Sequence, residues 1–377
     1  MKVLHLIRSL KKAGAEKICI DICTELNKRK DIQVLLVSMS PENDFEKLTK
    51  KIPFTIINSK VFPSISGKSV IETMEYEKIL DDFKPDIVHS HLFWSELLAK
   101  QCLRDNITYV SHCHDNMREF DNFKLDSVFS KMKLTALYEK RWILKRMKKC
   151  KNHFITISKD TTDYFNNVLP REMRNIYFLP NAINVKTYLK PENYKKKNKT
   201  LKLMNIGRFA KYKNQQFLID VAKELDNRNV KFKMYLAGKG TELNNVKLKA
   251  KKLNTQSVLF LGNIDNVENY LWESDIYLHS ATYEPFGLVL IEAMAAGLPV
   301  LTTNGTGNVD VMEKDKNGYI LPENVHEFCN KIDELSKNKT LYSRLSKYCI
   351  EYSKKFDIMN YTDRLVYFYN QILNERT

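Results

Sequence analysis

No apolar run in this chain approaches the ~18–20 residues needed to cross a bilayer, so no transmembrane helix is expected. The opening residues, Met1-Lys-Val-Leu-His-Leu-Ile-Arg-Ser9, put His5 and Arg8 where a signal peptide needs its apolar core, and no export signal is expected. The seven cysteines include no Cys-x-x-Cys pair, and their odd number argues against a disulfide framework. They are expected to be reduced packing residues in a cytoplasmic protein. Short-period repeats and long low-complexity segments are lacking. So is any recognition motif or aromatic-flanked glycine-rich ribonucleoprotein element, which leaves nucleic-acid binding supported by charge alone.

That charge is large. Sixty-one Lys and Arg against 45 Asp and Glu give +16, which implies an anionic partner: nucleic acid, a phosphorylated substrate or an acidic membrane. A length of 377 residues predicts about two domains. Apolar runs of strand length fall at 2–7, 33–38, 55–57, 86–89, 109–112 and 154–157, with helical patterns at 15–28 and 71–83. The second half repeats this, with strands at 201–206, 232–237, 258–261, 275–279 and 300–303 and helices beginning near Gln215, Asn245, Val267 and Leu288. Alternation at this spacing means βαβ units and a doubly wound α/β fold. The Lys- and Asn-rich run 191–200 lacks apolar periodicity and is expected to be a linker. The division expected is therefore 1–190, the linker 191–200, 201–355, and a terminal segment 356–377 with Leu365, Tyr369 and Ile372 at helical spacing.

The chemistry concentrates in Ser280 to Val300. A strand ends at His279, Pro285-Phe286-Gly287 breaks the chain, and a helix starts at Leu288 and stops at Gly297. Gly287 and Leu288 would offer free backbone N–H groups and a positive dipole end to a phosphate. Glu284 and Glu292 would repel that phosphate but accept hydrogen bonds from sugar hydroxyls, so the segment points to a nucleotide sugar. Gly207-Arg208-Phe209 follows another strand, where an open parallel sheet binds ligands. Arg208 can grip phosphate oxygens bidentately, and Lys213 adds a point charge. Gly14, between the first strand and first helix, would let the backbone approach a ligand closely.

Glu284 and Glu292, with seven residues between them in Glu-Pro-Phe-Gly-Leu-Val-Leu-Ile-Glu-Ala, resemble the signature of retaining glycosyltransferases of family 4. The resemblance covers nearly the whole chain and leans towards the bacterial polysaccharide-assembly type, capsule included. It implies the GT-B architecture, two Rossmann-like domains facing across a cleft, with the last helix crossing back to the first domain. A hinge near 191–200 would let the halves close. It also implies transfer of a hexosyl group from a nucleotide sugar, commonly a UDP-sugar, to a saccharide or lipid-linked saccharide acceptor, with no metal required. In that family Arg208 and Lys213 match the diphosphate clamp, with Gly14, Gly287 and Leu288 beside it. Glu292 matches the ribose ligand and Glu284 the donor-sugar ligand. His114-Asp115 resembles the histidine that contacts the donor sugar near its reacting carbon, with His112 as the competing assignment. Ile264, in Gly262-Asn-Ile-Asp265, resembles the segment whose backbone reads the base. Asn181, in Pro180-Asn-Ala-Ile183, resembles a hinge motif. Ala13 and Ala182 depart from the family's glycines.

His89-Ser-His91 and His112-Cys-His114 have spacing that would permit a metal, yet neither offers an obvious carboxylate or cysteine set. Nor is there an Asp-x-Asp pair, which metal-dependent transferases of the other major architecture use. His89, His91 and His112 are expected to satisfy hydrogen bonds at strand ends. Residues 131–149 form the strongest basic run. Met132, Ala136, Ile143 and Met147 share one side of a helical wheel, and Arg141, Lys145, Lys148 and Lys149 cluster on another. The basic side is either a solvated face or a dock for anionic lipid on the inner face of the plasma membrane. The rival functions are a sugar-nucleotide epimerase of the same architecture and a nucleic-acid-binding protein. Oligomeric state has no signature in the sequence.

Overall fold

A computed structural model describes residues 1–62, 69–121, 131–194 and 200–375. They form two compact units, residues 1–181 with 358–377, and residues 182–357.

In the first unit the strands are β1 (Lys2–Ile7), β2 (Gln33–Ser38), β3 (Phe54–Ile56), β4 (Val61–Phe62), β5 (Val70–Ile71), β6 (Ile87–His91), β7 (Thr108–Cys113), β8 (His153–Thr156) and β9 (Ile176–Phe178). Seven of them make a parallel sheet in the order β3-β2-β1-β6-β7-β8-β9. β4 and β5 form a separate antiparallel pair. That pair is why the helix expected from residue 71 begins only at Met74: Val70 and Ile71 are paired with Phe62 and Val61. One face of the sheet carries Leu4, Leu6, Val88 and Tyr109 into a core shared with Leu97 and Leu98 of the helix Phe93–Gln101 and with Ile143 and Met147. Glu96 and Lys100 of that helix are fully buried and paired at 2.9 Å. Ser111 Oγ also donates to the Glu96 carboxylate at 2.7 Å, which satisfies a charge that burial would otherwise penalise.

In the second unit the strands are β10 (Leu201–Ile206), β11 (Phe232–Ala237), β12 (Val258–Gly262), β13 (Ile276–His279), β14 (Val300–Thr303) and β15 (Gly318–Leu321). All pair in parallel, in the order β12-β11-β10-β13-β14-β15. The edge strands β9 and β15, of three and four residues, and the two-residue strands β4 and β5 escape the sequence reading. Both units are doubly wound, and each sheet reverses direction once, at β1/β6 and at β10/β13.

The boundary differs from the one expected. Residues 182–190 belong to the second unit, where Ile183 N–H donates to Phe356 O (2.9 Å) and Trp272 Nε1–H donates to Tyr188 O (2.7 Å). The run 191–200 thus lies within that unit, and its residues 195–199 fall outside the described residues. The last helix, Ile358–Asn374, belongs to the first unit, where Arg364 donates to Phe178 O and Asp363 pairs with Arg29.

Candidate active site

Where a parallel sheet reverses, the loops leaving its two central strands diverge and open a crevice at the carboxyl ends. In the second unit these are the loops after β10 and β13, and both carry residues singled out above. Two hydrogen bonds fasten them together: Ser280 Oγ–H to Lys213 O (2.8 Å) and Thr282 N–H to Tyr212 O (2.8 Å). Lys213 Nζ is thereby set against Glu284 Oε2 in an ion pair. His279 Nε2 lies 3.3 Å from the same oxygen. Burial by itself would raise the Glu284 carboxyl, but the Lys213 ammonium and His279 outweigh it and hold the pKa down to about 2. Burial lowers His279, with Glu284 opposing.

A third loop supports Glu284 from behind. Glu284 N–H donates to Thr306 O at 2.9 Å, and Asn308 Nδ2–H donates to Ala281 O at 3.1 Å. Gly307 has φ +83°, and a Cβ there would lie 1.7 Å from Glu284 O, so only glycine permits this approach. The sequence reading passed over Gly305-Thr306-Gly307, Asn308 and His279. Two glycines closing a strand, and a lone histidine five residues before Glu284, were the available signals.

The helix Leu288–Ala295 starts from Gly287 at φ +85° and ends before Gly297 at φ +78°. Its amino end, with Gly287 and Leu288, is the end where a helix leaves its first N–H groups without intrahelical acceptors, which favours anions. Glu292 lies one turn along, half-buried. Arg208 is exposed in the loop after β10, where Gln215 Nε2–H donates to its carbonyl oxygen at 3.1 Å. Gly238 N–H donates to Gly262 O at 2.7 Å, stacking the loops after β11 and β12, and Ile264 follows in the latter, half-buried. Of the residues singled out in this unit, Lys213 and Glu284 are brought into direct contact.

The first unit gathers histidines. Parallel register pairs His5 with His89 and His91 with His112, and the two-residue period of a strand puts His114 on the same face. All five are buried. His5 Nδ1 and His91 Nε2 are 2.9 Å apart, and His91 Nδ1 and His114 Nε2 are 2.8 Å apart. His89 Nδ1 meets Tyr369 OH of the last helix at 2.5 Å. Burial drives every one of these pKa values down, to about 3 for His5 and His114, so the rings are neutral at pH 7. His5 was not singled out from the sequence because 84 residues separate it from His89. Asn181 is buried, and it raises the His112 pKa against the larger lowering by burial. Gly14 is exposed at the start of the helix Gly14–Leu26.

The basic run is a helix, Lys131–Lys149. Ile143 and Met147 are buried, while Arg141, Lys145, Lys148 and Lys149 are exposed. The side chain of Met132 lies outside the described residues. Lys148 pairs with Glu172 at 3.2 Å, both largely exposed. No described helix is long and apolar enough to cross a membrane.

Two doubly wound units, one with a cation–carboxylate pair and a glycine-started helix at its switch point, define a nucleotide-binding α/β architecture. Residues 13–187 match the family described as Glycosyltransferase Family 4, and residues 188–356 match Glycosyl transferases group 1. Together the matches span most of the chain, which belongs to these glycosyltransferases and is a transferase of GT-B fold. It is 25% identical to a Klebsiella pneumoniae protein described as an uncharacterized 41.2 kDa protein in the cps region, over 96% of this chain and 98% of that one. A stretch covering 43% of this chain is 32% identical to an uncharacterized glycosyltransferase of Haemophilus influenzae, and spans 48% of that protein's length. The UDP-Gal:alpha-D-GlcNAc-diphosphoundecaprenol alpha-1,3-galactosyltransferase of Escherichia coli is 23% identical over 72% of this chain and 71% of its own. Among solved structures, Anabaena HepE in complex with UDP and glucose superposes with a TM-score of 0.78 at 19% identity, covering 98% of this chain and all of that one.

Proposed function

We propose that this protein is a retaining hexosyltransferase that takes a sugar from a UDP-sugar and places it on a saccharide or lipid-linked saccharide acceptor during surface polysaccharide assembly. The observation that carries the reading is the Lys213–Glu284 pair at the β10/β13 switch point, beside the amino end of the helix Leu288–Ala295. It offers a cation for a diphosphate and an ionised carboxylate for sugar hydroxyls. The UDP bound by HepE, and the UDP-galactose and diphosphoundecaprenol in the name of the Escherichia coli relative, support the choice of donor and acceptor. The cps region of the Klebsiella relative supports the biosynthetic setting.

Catalysis is positioning and electrostatics. Arg208, Lys213 and the N–H groups of Gly287 and Leu288 stabilise the charge that grows on the departing diphosphate. Glu292 holds the ribose, Glu284 the donor sugar, and the backbone at Ile264 meets the base. Gly14, at the start of the helix Gly14–Leu26, and His114, just past the end of β7, act in the transfer, and Asn181 supports the histidine group. In the front-face route the leaving phosphate oxygen takes the acceptor's proton, so neither a protein base nor a metal is needed.

Product analysis tests this. Incubation with UDP-sugar and a lipid-linked saccharide should yield an α-linked product from an α-configured donor, read by the anomeric proton coupling. A β-linked product overturns retention. Conversion of the nucleotide sugar with no acceptor present would instead indicate an epimerase, and tight, steeply salt-dependent duplex binding without transfer would indicate a nucleic-acid-binding protein.

A further inference from the structure

The histidine face of the first unit is ordered in a way that glycosyl transfer alone does not require. A neutral imidazole has one N–H donor and one bare nitrogen. His91 uses both: its Nε2 meets His5 Nδ1 at 2.9 Å and its Nδ1 meets His114 Nε2 at 2.8 Å. Each contact needs one donor and one acceptor, so only two proton arrangements satisfy the chain. Either all three rings carry the proton on Nδ1, or all three carry it on Nε2. In the first, His114 presents Nδ1–H as a donor. In the second it presents a bare acceptor. The outer nitrogens, His114 Nδ1 and His5 Nε2, are both buried and make no hydrogen bond among the described residues, so a partner for His114 Nδ1 has to come from outside them.

We propose that His91, with His5 behind it, is a positioning pair that locks His114 into a shared tautomer and thereby sets whether its free nitrogen donates or accepts towards a ligand oxygen. The all-Nδ1–H arrangement is the one suited to a phosphate oxygen, which only accepts, and it also serves a sugar hydroxyl. The backbone reinforces the placement of His91. Leu92, the next residue, has φ +68° and ψ +158°, a strained conformation for a branched side chain that persists only where its surroundings enforce it.

The same atoms do not make a good metal centre. Nitrogens of His91, His112 and His114 lie within 4.8 Å of one another. Yet the His112 and His114 rings stack face to face, 4.0 Å apart and 19° from parallel. Their in-plane lone pairs therefore run side by side and do not converge on a point ~2.0–2.1 Å away, as a zinc ion would need.

The functional half of this inference rests on the glycosyltransferase reading, while the tautomer half does not, and the experiment separates them. Long-range proton–nitrogen spectra of the full chain labelled at histidine should show His5, His91 and His114 in one common tautomer. His91→Leu should release His114 into a mixture of tautomers, and His5→Leu should release both His91 and His114. His91→Asn, a smaller change that keeps an amide near the Nδ1 position, should leave His114 hydrogen-bonded but in mixed tautomers, because the amide can flip and has no counterpart of Nε2 for His5, and it guards against loss of folding. In turnover, His91→Leu should lower kcat by up to about 100-fold with donor KM nearly unchanged, and His91→Asn should recover only part of it. Mixed tautomers in the wild type, an unchanged His114 in His91→Leu, or one-to-one zinc uptake that shifts the His91 and His114 signals would each overturn the proposal. A common tautomer with full turnover in His114→Ala would leave the chain standing and overturn its role in transfer.

Discussion

Lys213 and Glu284, 71 residues apart in sequence, share an ion pair that joins the loops leaving β10 and β13. The pair is largely buried, with side-chain exposures of 14% and 12%. An unpaired carboxylate at this place would repel a diphosphate. Paired to Lys213, it would let the proposed site take a phosphate and a sugar hydroxyl side by side, with the ammonium between two anions.

Replacing either cation of the proposed diphosphate clamp should slow the chemistry more than it weakens binding. Arg208→Ala and Lys213→Ala are each expected to lower kcat roughly 10²–10³-fold, the scale of a lost oxyanion donor. Steady-state kinetics at saturating donor and acceptor checks this. Wild-type kcat in both variants rejects the assignment.

Glu284 makes stability depend on acid pH. Its carboxyl is held at about 2 in the folded protein against an ordinary 4.5. A folded pKa below the unfolded one stabilises above the unfolded value, and the gain is lost as pH falls through the folded value. At about 1.4 kcal/mol per unit, the contribution near neutrality is roughly 3 kcal/mol. Glu284→Gln should therefore be the less stable protein at pH 7, with the gap to wild type closing between about pH 4.5 and 2. Melting temperatures of both proteins across that window test it, and a gap independent of pH would reject it.

UDP should stabilise the protein more than GDP. A ligand at about 100 times its Kd adds roughly 2.7 kcal/mol to stability, well within reach of a thermal-shift measurement. Preferential stabilisation by GDP would move the donor from a UDP-sugar to GDP-mannose.

The buried Glu96–Lys100 pair predicts an asymmetry between breaking and replacing a charge pair. Glu96→Ala strands the Lys100 ammonium in the core and should cost about 3–5 kcal/mol. The double variant Glu96→Leu with Lys100→Met should cost clearly less, although Ser111 loses its acceptor. Urea denaturation at pH 7 compares them. Equal losses in the two would show that the pair is not what the core depends on.

The basic helix face should bind anionic vesicles at low salt, because exposed charge acts over only ~8 Å at physiological ionic strength. Changing Arg141, Lys145, Lys148 and Lys149 to Glu should abolish co-sedimentation with such vesicles and leave UDP stabilisation intact. Should the wild-type protein ignore the vesicles at every ionic strength, the face is a solvated one and the acceptor need not be lipid-linked.

The sequence by itself determined the local units. The strand, broken loop, helix and strand from 276 to 303 follow from an apolar run, Pro285-Phe286-Gly287, a stretch of strong helix formers and Gly297, all signals acting within a few residues. For the same reason Glu284, Gly287 and Glu292 were legible as a candidate site, and Arg208 and Lys213 as a loop after a strand. Tertiary structure alone decided what those side chains touch. Lys213 meets Glu284 only because β10 and β13 are neighbours at the reversal of strand order, although β11 and β12 intervene in the chain. Gly307 must be glycine because a loop more than 20 residues further on passes against Glu284 O. The boundary at 181/182 escaped composition because it is set by hydrogen bonds from residues near 183 to residues near 357. His5 joins His91 and His114 because parallel register aligns three strands on one face, and the tautomer those rings share is a property of the packed sheet rather than of any one of them.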